Sequence, residues 1–339
     1  MLLRVATDKI MDDAYAVNTK RCYQSAERRY LQSCISTGHH PWPVTLDAIR
    51  WWHSADHLEG KNARSIKQDG SNLRSHCRSQ NISFLEQDGD PQRYKEYING
   101  LLANETRPTK RPPPVMAADI LAIADTVDMH KPRQMQLWLM LMLARGGLLR
   151  ASEVCGTNLR RRHIHDEGRG IWRVDVLKTK TSRRSAEADP FWVIPAVPTL
   201  ALTTRQNRLL DTASLLANYL RTTQLKPDAP LFPALTTAGQ PDLPYKSMSY
   251  NAWLTKFKKV CKAAGIEKRS LHAIRAGGAT DLHIQGISSA MVKKAGRWVT
   301  DSTASHLYNR PGMVLATVVQ RAHLDEIVAA AKSTVSRQR

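Results

Sequence analysis

Long apolar runs are missing from this sequence of 339 residues. The most apolar one, from Leu137 to Ala144, falls well short of the roughly 20 apolar residues that a membrane-spanning helix needs. The first residues also lack the apolar core and the small-residue cleavage site of a secretory signal. We therefore expect a soluble protein that is not exported and has no membrane as its partner.

Cysteines are few and are not paired along the sequence. The five of them lie far apart and form no CxxC motif, which argues against both a disulfide framework and a zinc knuckle. One HxH pair, His163 and His165, has no neighbouring cysteines to complete a metal site. We expect a reducing compartment, no bound metal and no cofactor.

Acidic residues are outnumbered by basic ones. The 30 aspartates and glutamates stand against 50 lysines and arginines, which gives a formal net charge of +20. An excess of this size favours a polyanionic partner, and nucleic acid is the first candidate. The run Arg160 to Arg162 could touch such a partner, but a solvated basic turn explains it at least as well.

Helical patterns fill the first hundred residues. Apolar side chains recur every three to four residues at about 15–35, and similar patterns predict helices at about 45–53, 62–79 and 90–102. Thr45 is a candidate N-cap, and Asp90 followed by proline is a typical helix start. Trp51 and Trp52 could stack on DNA, although a core or interface role is favoured. We predict an all-helical domain over residues 1–105.

A proline cluster with three cationic side chains, Thr106 to Val115, follows this domain. Its prolines exclude a helix interior, so the segment should be an extended connector. The predicted boundaries are therefore 1–105 for the first domain, 106–115 for the connector and 116–339 for the second domain.

The second domain combines helices with a predicted β-hairpin. Strands at 172–177 and 191–197 flank a long polar tip. Helices are predicted at about 117–128, 134–146, 199–222, 247–264, 271–284 and 288–295, and an amphipathic segment runs from Val314 to Val328. The predicted fold class is mostly α with a small antiparallel β-sheet.

Residues 271–311 carry four side chains suited to a phosphodiester: His272, Arg275, Trp298 and Tyr308. The HxxR spacing of the first two puts both on one helix face, where they can share one phosphate. The indole N–H of the tryptophan can donate a hydrogen bond, but it cannot transfer a proton as an imidazole can. Proton transfer would then fall to the histidine and to a lysine.

Two more cations precede that segment. Arg150 follows an apolar helix, and Lys180 lies in the polar tip between the predicted strands, with Lys178 as a competing candidate. Arginine clamps phosphate oxygens with a planar fork and stays charged at any working pH. A tyrosine, whose reference pKa is about 10, needs such a cationic site to act as a nucleophile. The set favours metal-free cleavage of a DNA backbone.

In this order, the arginine, the hairpin lysine, the HxxRAGGAT and GRW motifs and the final tyrosine resemble the tyrosine recombinases and integrases. The GRW motif, where most members have GH, resembles the Cre-like subset, and the motifs are also similar to recombinases of DIRS-like and Crypton-like mobile elements. The resemblance is strongest over residues 107–312. It implies a helical core-binding domain that clamps DNA together with a mixed α+β catalytic domain.

The resemblance also implies a role for each site residue. The expected site consists of Arg150, Glu153, Lys180, His272, Arg275, Trp298 and Tyr308. The two arginines and the histidine would bind the scissile phosphate, and the glutamate would support the first arginine. The tyrosine would attack and leave a 3′-phosphotyrosine, the lysine would protonate the departing 5′-hydroxyl, and the tryptophan would hydrogen-bond beside the nucleophile.

Partners follow from the same resemblance. Family members act as homotetramers on double-stranded DNA with paired recombination sites, pass through a Holliday junction and dock a C-terminal helix into a neighbour, for which Val314 to Val328 is the candidate here. Since the phosphotyrosine conserves the ester bond, neither ATP nor a metal is implied. The location would be cytoplasmic for a prokaryotic or phage protein and nuclear for one from a eukaryotic element.

Two alternatives remain beside site-specific recombination and DNA integration. Type IB topoisomerases and hairpin telomere resolvases use a similar constellation, but the two-domain size and the apolar tail favour a recombinase. A catalytically inactive, domesticated DNA-binding protein is the second alternative. Its one supporting feature is that Trp298 and Tyr308 stand one residue further apart than is usual for the family.

Overall fold

The computed structural model describes residues 17–86, 89–106, 113–156, 158–176, 189–298 and 322–329. The chain divides into two compact units, Met1–Lys110 and Arg111–Arg339. Separate clusters of buried apolar side chains fill them, one drawn from residues 26–85 and the other from residues 115–327. The division lies inside the proline-rich segment, of which residues 107–112 are outside the described part of the chain.

The first unit contains four described helices: α1 (Val17–Thr37), α2 (Leu46–Leu58), α3 (Ala63–Ser79) and α4 (Asp90–Ala103). Thr45 caps α2 as predicted, because its hydroxyl accepts a hydrogen bond from the backbone N–H of Ala48 at 3.3 Å. The predicted cap of α4 was wrong by one residue. Gly89, with φ of 83°, precedes this helix, and Asp90 is its first residue.

The two adjacent tryptophans of α2 have opposite environments. Trp52 is buried, and its ring lies 5.6 Å from that of Tyr30 between centroids. Trp51 is 58% exposed. The core role therefore holds for Trp52, because successive helix positions face directions about 100° apart.

The second unit combines a three-stranded sheet with nine described helices. The strands are β1 (Ile164–Asp166), β2 (Trp172–Val176) and β3 (Asp189–Val193). The helices are α5 (Ala117–Thr126), α6 (Pro132–Gly146), α7 (Ala151–Val154), α8 (Thr204–Leu210), α9 (Thr212–Thr223), α10 (Tyr250–Ala263), α11 (Leu271–Ile284), α12 (Ser289–Ala295) and α13 (residues 322–329).

The sheet has one strand more than the sequence predicted. β2 pairs antiparallel with β1 on one side and with β3 on the other. β1 was missed because a strand of three residues next to a basic run carries almost no periodic signal. The second predicted strand begins earlier and ends at Val193, before Pro195 can interrupt it. The polar tip between β2 and β3, with Lys178 and Lys180, lies outside the described residues.

α6 runs through the middle of the second unit. All its residues from Met135 to Arg145 are buried, and Trp138 donates a hydrogen bond to the carbonyl of Leu209 on α8 at 2.7 Å. The single helix predicted at 199–222 is in fact α8 and α9. Asp211 separates the two and caps α9 by accepting from the backbone N–H of Ser214 at 3.2 Å.

α11 packs tightly because of a glycine pair. A Cβ atom built on Gly277 would lie 1.7 Å from the carbonyl oxygen of Val115, and one built on Gly278 would lie 2.8 Å from the carbonyl oxygen of Arg145 on α6. Val115 also donates its backbone N–H to Ala273 of α11 at 2.9 Å. Only glycine allows this approach, and it fixes the depth at which the helix places the neighbouring Arg275.

Candidate active site

Arg150 and Glu153 form the first part of the site. Arg150 is the residue before α7, and its Nη1 donates to Glu153 Oε1 at 2.7 Å while its backbone N–H donates to Oε2 at 2.8 Å. The carboxylate is 4% exposed, whereas about a quarter of the arginine side chain reaches solvent. Glu153 therefore hydrogen-bonds both the backbone N–H and the guanidinium group of Arg150. The rest of the guanidinium group stays accessible to solvent.

Arg275 on α11 is buried at 2% exposure. Its Nη2 donates to the carbonyl of Gly296, and its Cζ lies 4.4 Å from the ring centroid of Trp298. Nε and Nη1 have no hydrogen-bond partner among the described residues. A buried donor without a hydrogen-bond partner costs free energy. We therefore expect these two nitrogens to bind a ligand or another part of the chain.

Arg275 is coupled electrostatically to three neighbouring charged groups. Burial, together with the positive charges of Arg150 and Arg297, lowers the pKa of Arg275 to about 10, although the Glu153 carboxylate opposes this shift. The guanidinium remains charged at neutral pH. Burial is the largest cause of the lowered pKa and the two other guanidinium groups add to it, so an anionic ligand would stabilise the charged form.

Trp298 covers Arg275 with the face of its indole ring. The half-buried ring is held close to the chain because its backbone N–H donates to the carbonyl of Lys293 at 3.0 Å. A Cβ atom built on Gly296 would lie 2.1 Å from a ring carbon of Trp298. Glycine at position 296 is therefore what allows the tryptophan to fold back over the arginine.

His272 is in a different environment from Arg275, although both lie on α11 as the HxxR spacing predicted. The histidine is the second residue of the helix and its side chain is exposed, whereas the arginine one turn later is buried. The two side chains therefore lie on one helix in different surroundings, and their sharing of one phosphate stays a prediction.

Arg297 is a site residue that sequence reasoning missed. Its Nη2 donates to the carbonyl of Gly147 at 2.9 Å and lies 3.6 Å from Glu153 Oε2, with the side chain 9% exposed. The signal was present in the GRW motif, but an arginine in a basic chain does not stand out. Only the fold brings it beside a carboxylate far away in sequence.

Three of the predicted site positions cannot be placed. Tyr308, Lys180 and the competing Lys178 lie outside the described residues. The structure does bring together Arg150, Glu153, Arg275 and Trp298, with His272 at the surface of the same helix. The basic run at 160–162 is bound to its neighbours, since Arg160 donates to the carbonyl of Asp228 at 2.6 Å.

Each histidine of the HxH pair has a partner from the chain. Nδ1 of His163 accepts from the backbone N–H of Arg160 at 3.2 Å, and Nε2 of His165 lies 2.8 Å from a carboxylate oxygen of Asp175. No group of three or more potential ligands gathers anywhere among the described residues. Within the same residues, no helix combines the length and the apolar character that crossing a membrane requires.

The second unit thus combines helices and a small antiparallel sheet with a buried arginine, Arg275, that stacks on Trp298, and with the paired Arg150 and Glu153. The sequence profile of the phage integrase family matches residues 115–313. The chain therefore belongs to the phage integrase family of tyrosine recombinases. The match covers the whole predicted site, from Arg150 to Tyr308. No curated protein sequence matches the chain.

Solved structures show the same fold. The Tn1549 transposon integrase in complex with transposon right end DNA is similar to this chain with a TM-score of 0.55 and 14% identity, covering 92% of this chain and 94% of that one. A lambda integrase dimer bound to a COC′ core site gives a TM-score of 0.51 and 18% identity, covering 91% and 97%. The predicted family and fold class are confirmed.

Proposed function

We propose that this recombinase is a site-specific integrase that cuts and rejoins DNA strands through a 3′-phosphotyrosine at Tyr308. The observation that carries the proposal is the buried Arg275, whose Nε and Nη1 have no partner among the described residues and which lies in one charge cluster with Arg150. A scissile phosphate is an anion of the size and charge that such a pair of guanidinium groups binds.

The proposed first step is an in-line displacement at phosphorus. The phenol oxygen of Tyr308 forms a bond to phosphorus while the bond from phosphorus to the 5′-oxygen breaks. His272 accepts the phenol proton, and Lys180 gives a proton to the 5′-oxygen as it leaves. The two arginines bind the non-bridging oxygens, whose negative charge grows in the transition state.

The proposed second step reverses the first with a different strand. A 5′-hydroxyl from the partner duplex attacks the phosphotyrosine, releases Tyr308 and creates a Holliday junction. The ester bond is exchanged and never hydrolysed, so we propose that the reaction needs neither ATP nor a metal. Four protomers on two DNA sites would carry it out. To reach a neighbour, the C-terminal segment from Val314 to Val328 would have to leave its own unit, in whose core Ile327 is buried in the isolated chain.

DNA as the partner is supported from two directions. The net charge of +20 favours a polyanion. The related Tn1549 and lambda integrases are solved as complexes with DNA. We propose that residues 1–105 form the core-binding domain, that 106–115 connect it along the backbone, and that 116–339 form the catalytic domain. The protein would act in the cytoplasm of a prokaryote or the nucleus of a eukaryote.

Covalent trapping tests the nucleophile. DNA from the regions flanking the gene, nicked beside the cleavage position, should give a protein–DNA adduct that survives denaturing electrophoresis, because the short strand diffuses away after cleavage. Tyr308→Phe should give none, since phenylalanine has no attacking oxygen. Tyr250→Phe, which changes an exposed tyrosine of the same unit, should trap as much as the native protein. Equal trapping by Tyr308→Phe would refute the assignment.

Paired sites on one plasmid separate recombination from the topoisomerase alternative. A recombinase should give deletion or inversion products, depending on the relative orientation of the two sites. A topoisomerase changes only the linking number and leaves the order of the sequence intact. Relaxation without any deletion or inversion would contradict the proposed strand exchange.

A further inference from the structure

Arg297 has an unusual backbone conformation for an arginine. Its φ is 53°, in the left-handed region that glycine adopts freely and that a side chain with a Cβ atom disfavours. It directly follows Gly296, the C-cap of α12. Strained backbone conformations of this kind cluster at functional sites, so the side chain of Arg297 is a candidate for a role in the proposed site.

The guanidinium of Arg297 reaches back to the segment that carries Arg150. Its Nη2 donates to the carbonyl oxygens of Gly147 at 2.9 Å and Leu148 at 3.3 Å. The same nitrogen lies 3.6 Å from Glu153 Oε2. One side chain therefore contacts the chain both before and after Arg150.

The turn that Arg297 holds is itself strained. Leu148 has φ of 46°, and it is fully buried. Its carbonyl and that of Gly147 lie at the end of α6, where carbonyl groups lack helical partners. By donating to both carbonyls, Arg297 stabilises the turn at Gly147 and Leu148, which leads directly to Arg150.

The carboxylate of Glu153 is held between two guanidinium groups. Oε1 accepts from the Arg150 side chain at 2.7 Å, while Oε2 accepts from the Arg150 backbone at 2.8 Å and faces Arg297. Arg275 is coupled to this carboxylate electrostatically, not by a hydrogen bond, so the cluster counts three guanidinium groups against one carboxylate, an excess of two positive charges. That excess matches the two negative charges of a phosphoryl group in its transition state.

We propose that Arg297 is a positioning residue for Arg150. It acts through the Glu153 carboxylate and the carbonyls of Gly147 and Leu148, and it aims the Arg150 fork at the phosphate without binding DNA itself. This inference rests on the proposed strand-transfer function. It gives a role to Arg297, the arginine of the GRW motif.

The test compares the rate of adduct formation at saturating DNA with the affinity for DNA. Arg297→Gly removes the side chain and suits the left-handed backbone, so the variant should fold. It should form the adduct about 10- to 100-fold more slowly than the native protein, because a misplaced clamp weakens transition-state binding. Its affinity for DNA should stay within about threefold, since a phosphate contact is not lost. An unchanged rate overturns the proposal.

Arg169→Gly is a matched control for the backbone. Arg169 also has positive φ, at 55°, but its side chain is exposed in the turn between β1 and β2. This variant relieves the same conformational strain without touching the site. Its adduct rate should equal the native rate. If both glycine variants slow the reaction equally, the effect comes from the backbone and the proposed side-chain role is wrong.

A double-mutant cycle with Glu153→Gln distinguishes positioning from a merely structural role. If Arg297 acts through the carboxylate, the double variant should react no more slowly than the slower single variant, within about threefold. Multiplied defects would show that the two residues act independently and would overturn the proposal.

The same cycle in urea unfolding, without DNA, tests the contact apart from the chemistry. Coupling between the two positions supports the contact, and its absence overturns the inference whatever the activity. A native protein that forms no adduct would refute the proposed function instead, so the two failures are distinguishable.

Discussion

Single residues decide how α11 presents its arginine. Arg275 is buried beneath Trp298, while His272 on the same helix is exposed. The depth of α11 depends on the glycine pair that follows Arg275, because the helix backbone touches the carbonyl of Val115. The RAGG motif therefore combines the proposed phosphate-binding arginine with the glycine pair that lets its helix pack closely.

Gly277→Ala should destabilise the second unit by at least about 2 kcal/mol, because the new methyl group meets backbone that cannot move aside cheaply. Urea unfolding followed by tryptophan fluorescence measures the change. The matched control is Gly146→Ala at the end of α6, where nothing lies within 4 Å of the added Cβ atom. Equal stability of the two variants would show that α11 and the Val115 segment are not in close contact.

At the level of elements, α13 closes the second unit from the C-terminal side. Ile327 lies in the core, and His323 is buried at 5% exposure. Nδ1 of His323 lies 3.9 Å from Asp281 on α11, whose carboxylate is paired with the buried Arg145 of α6. A polar cluster thus ties α6, α11 and α13 together. In the sequence, the proposed nucleophile Tyr308 lies between Trp298 and α13.

This cluster predicts acid lability of α13. Burial, aided by the Arg145 charge, lowers the pKa of His323 to about 3. An unfolded chain binds that proton near pH 6.5, so the folded state loses stability as the pH falls from 6.5 towards 3. At pH 5 the loss should be about 2 kcal/mol relative to pH 8.

Unfolding free energies at pH 8 and pH 5 check this prediction. In His323→Gln the difference between the two pH values should shrink by about 2 kcal/mol, because the buried titrating group is gone. His283→Gln removes an exposed histidine of α11 and should leave the difference unchanged. If the His323 variant keeps the native pH dependence, protonation of His323 is not what destabilises the folded state at low pH.

At the scale of the whole molecule, charge dominates the expected behaviour. The chain carries a net charge of +20, and Arg160 and Arg162 of its basic run are engaged with Asp228. The excess of cations over carboxylates would neutralise phosphates along a duplex. Binding should then be driven largely by release of counterions from DNA.

The affinity for duplex DNA should fall steeply with salt, by roughly a thousandfold or more between 50 and 200 mM, if six or more phosphates are neutralised. Fluorescence anisotropy with a labelled duplex measures the slope of log affinity against log salt. Arg162→Gln should leave this slope unchanged, because that side chain is paired with Asp228. A nearly flat dependence would argue against backbone clamping by the two units.

Local signals predicted much of the fold. α11 spans the predicted residues 271–284, and Thr45 caps α2 as predicted. Both predictions succeeded because helix periodicity and capping depend on residues that are close together in the sequence. Elements that depend on distant partners were predicted less well. β1 exists only as an edge for β2, and the break at Asp211 lies in a stretch whose apolar pattern runs on.

The sequence by itself determined the family, because the order of arginine, HxxR, GRW and tyrosine is a linear pattern. It also determined the basic character of the molecule. The tertiary structure decided which side chains share a site. It placed Arg275 under Trp298 and brought Arg297 to Glu153, since contacts between residues that are not neighbours in the sequence depend on how α6, α11 and α12 pack. Composition and motif spacing can be read from the sequence, whereas the burial of a side chain and its contacts exist only in the folded chain.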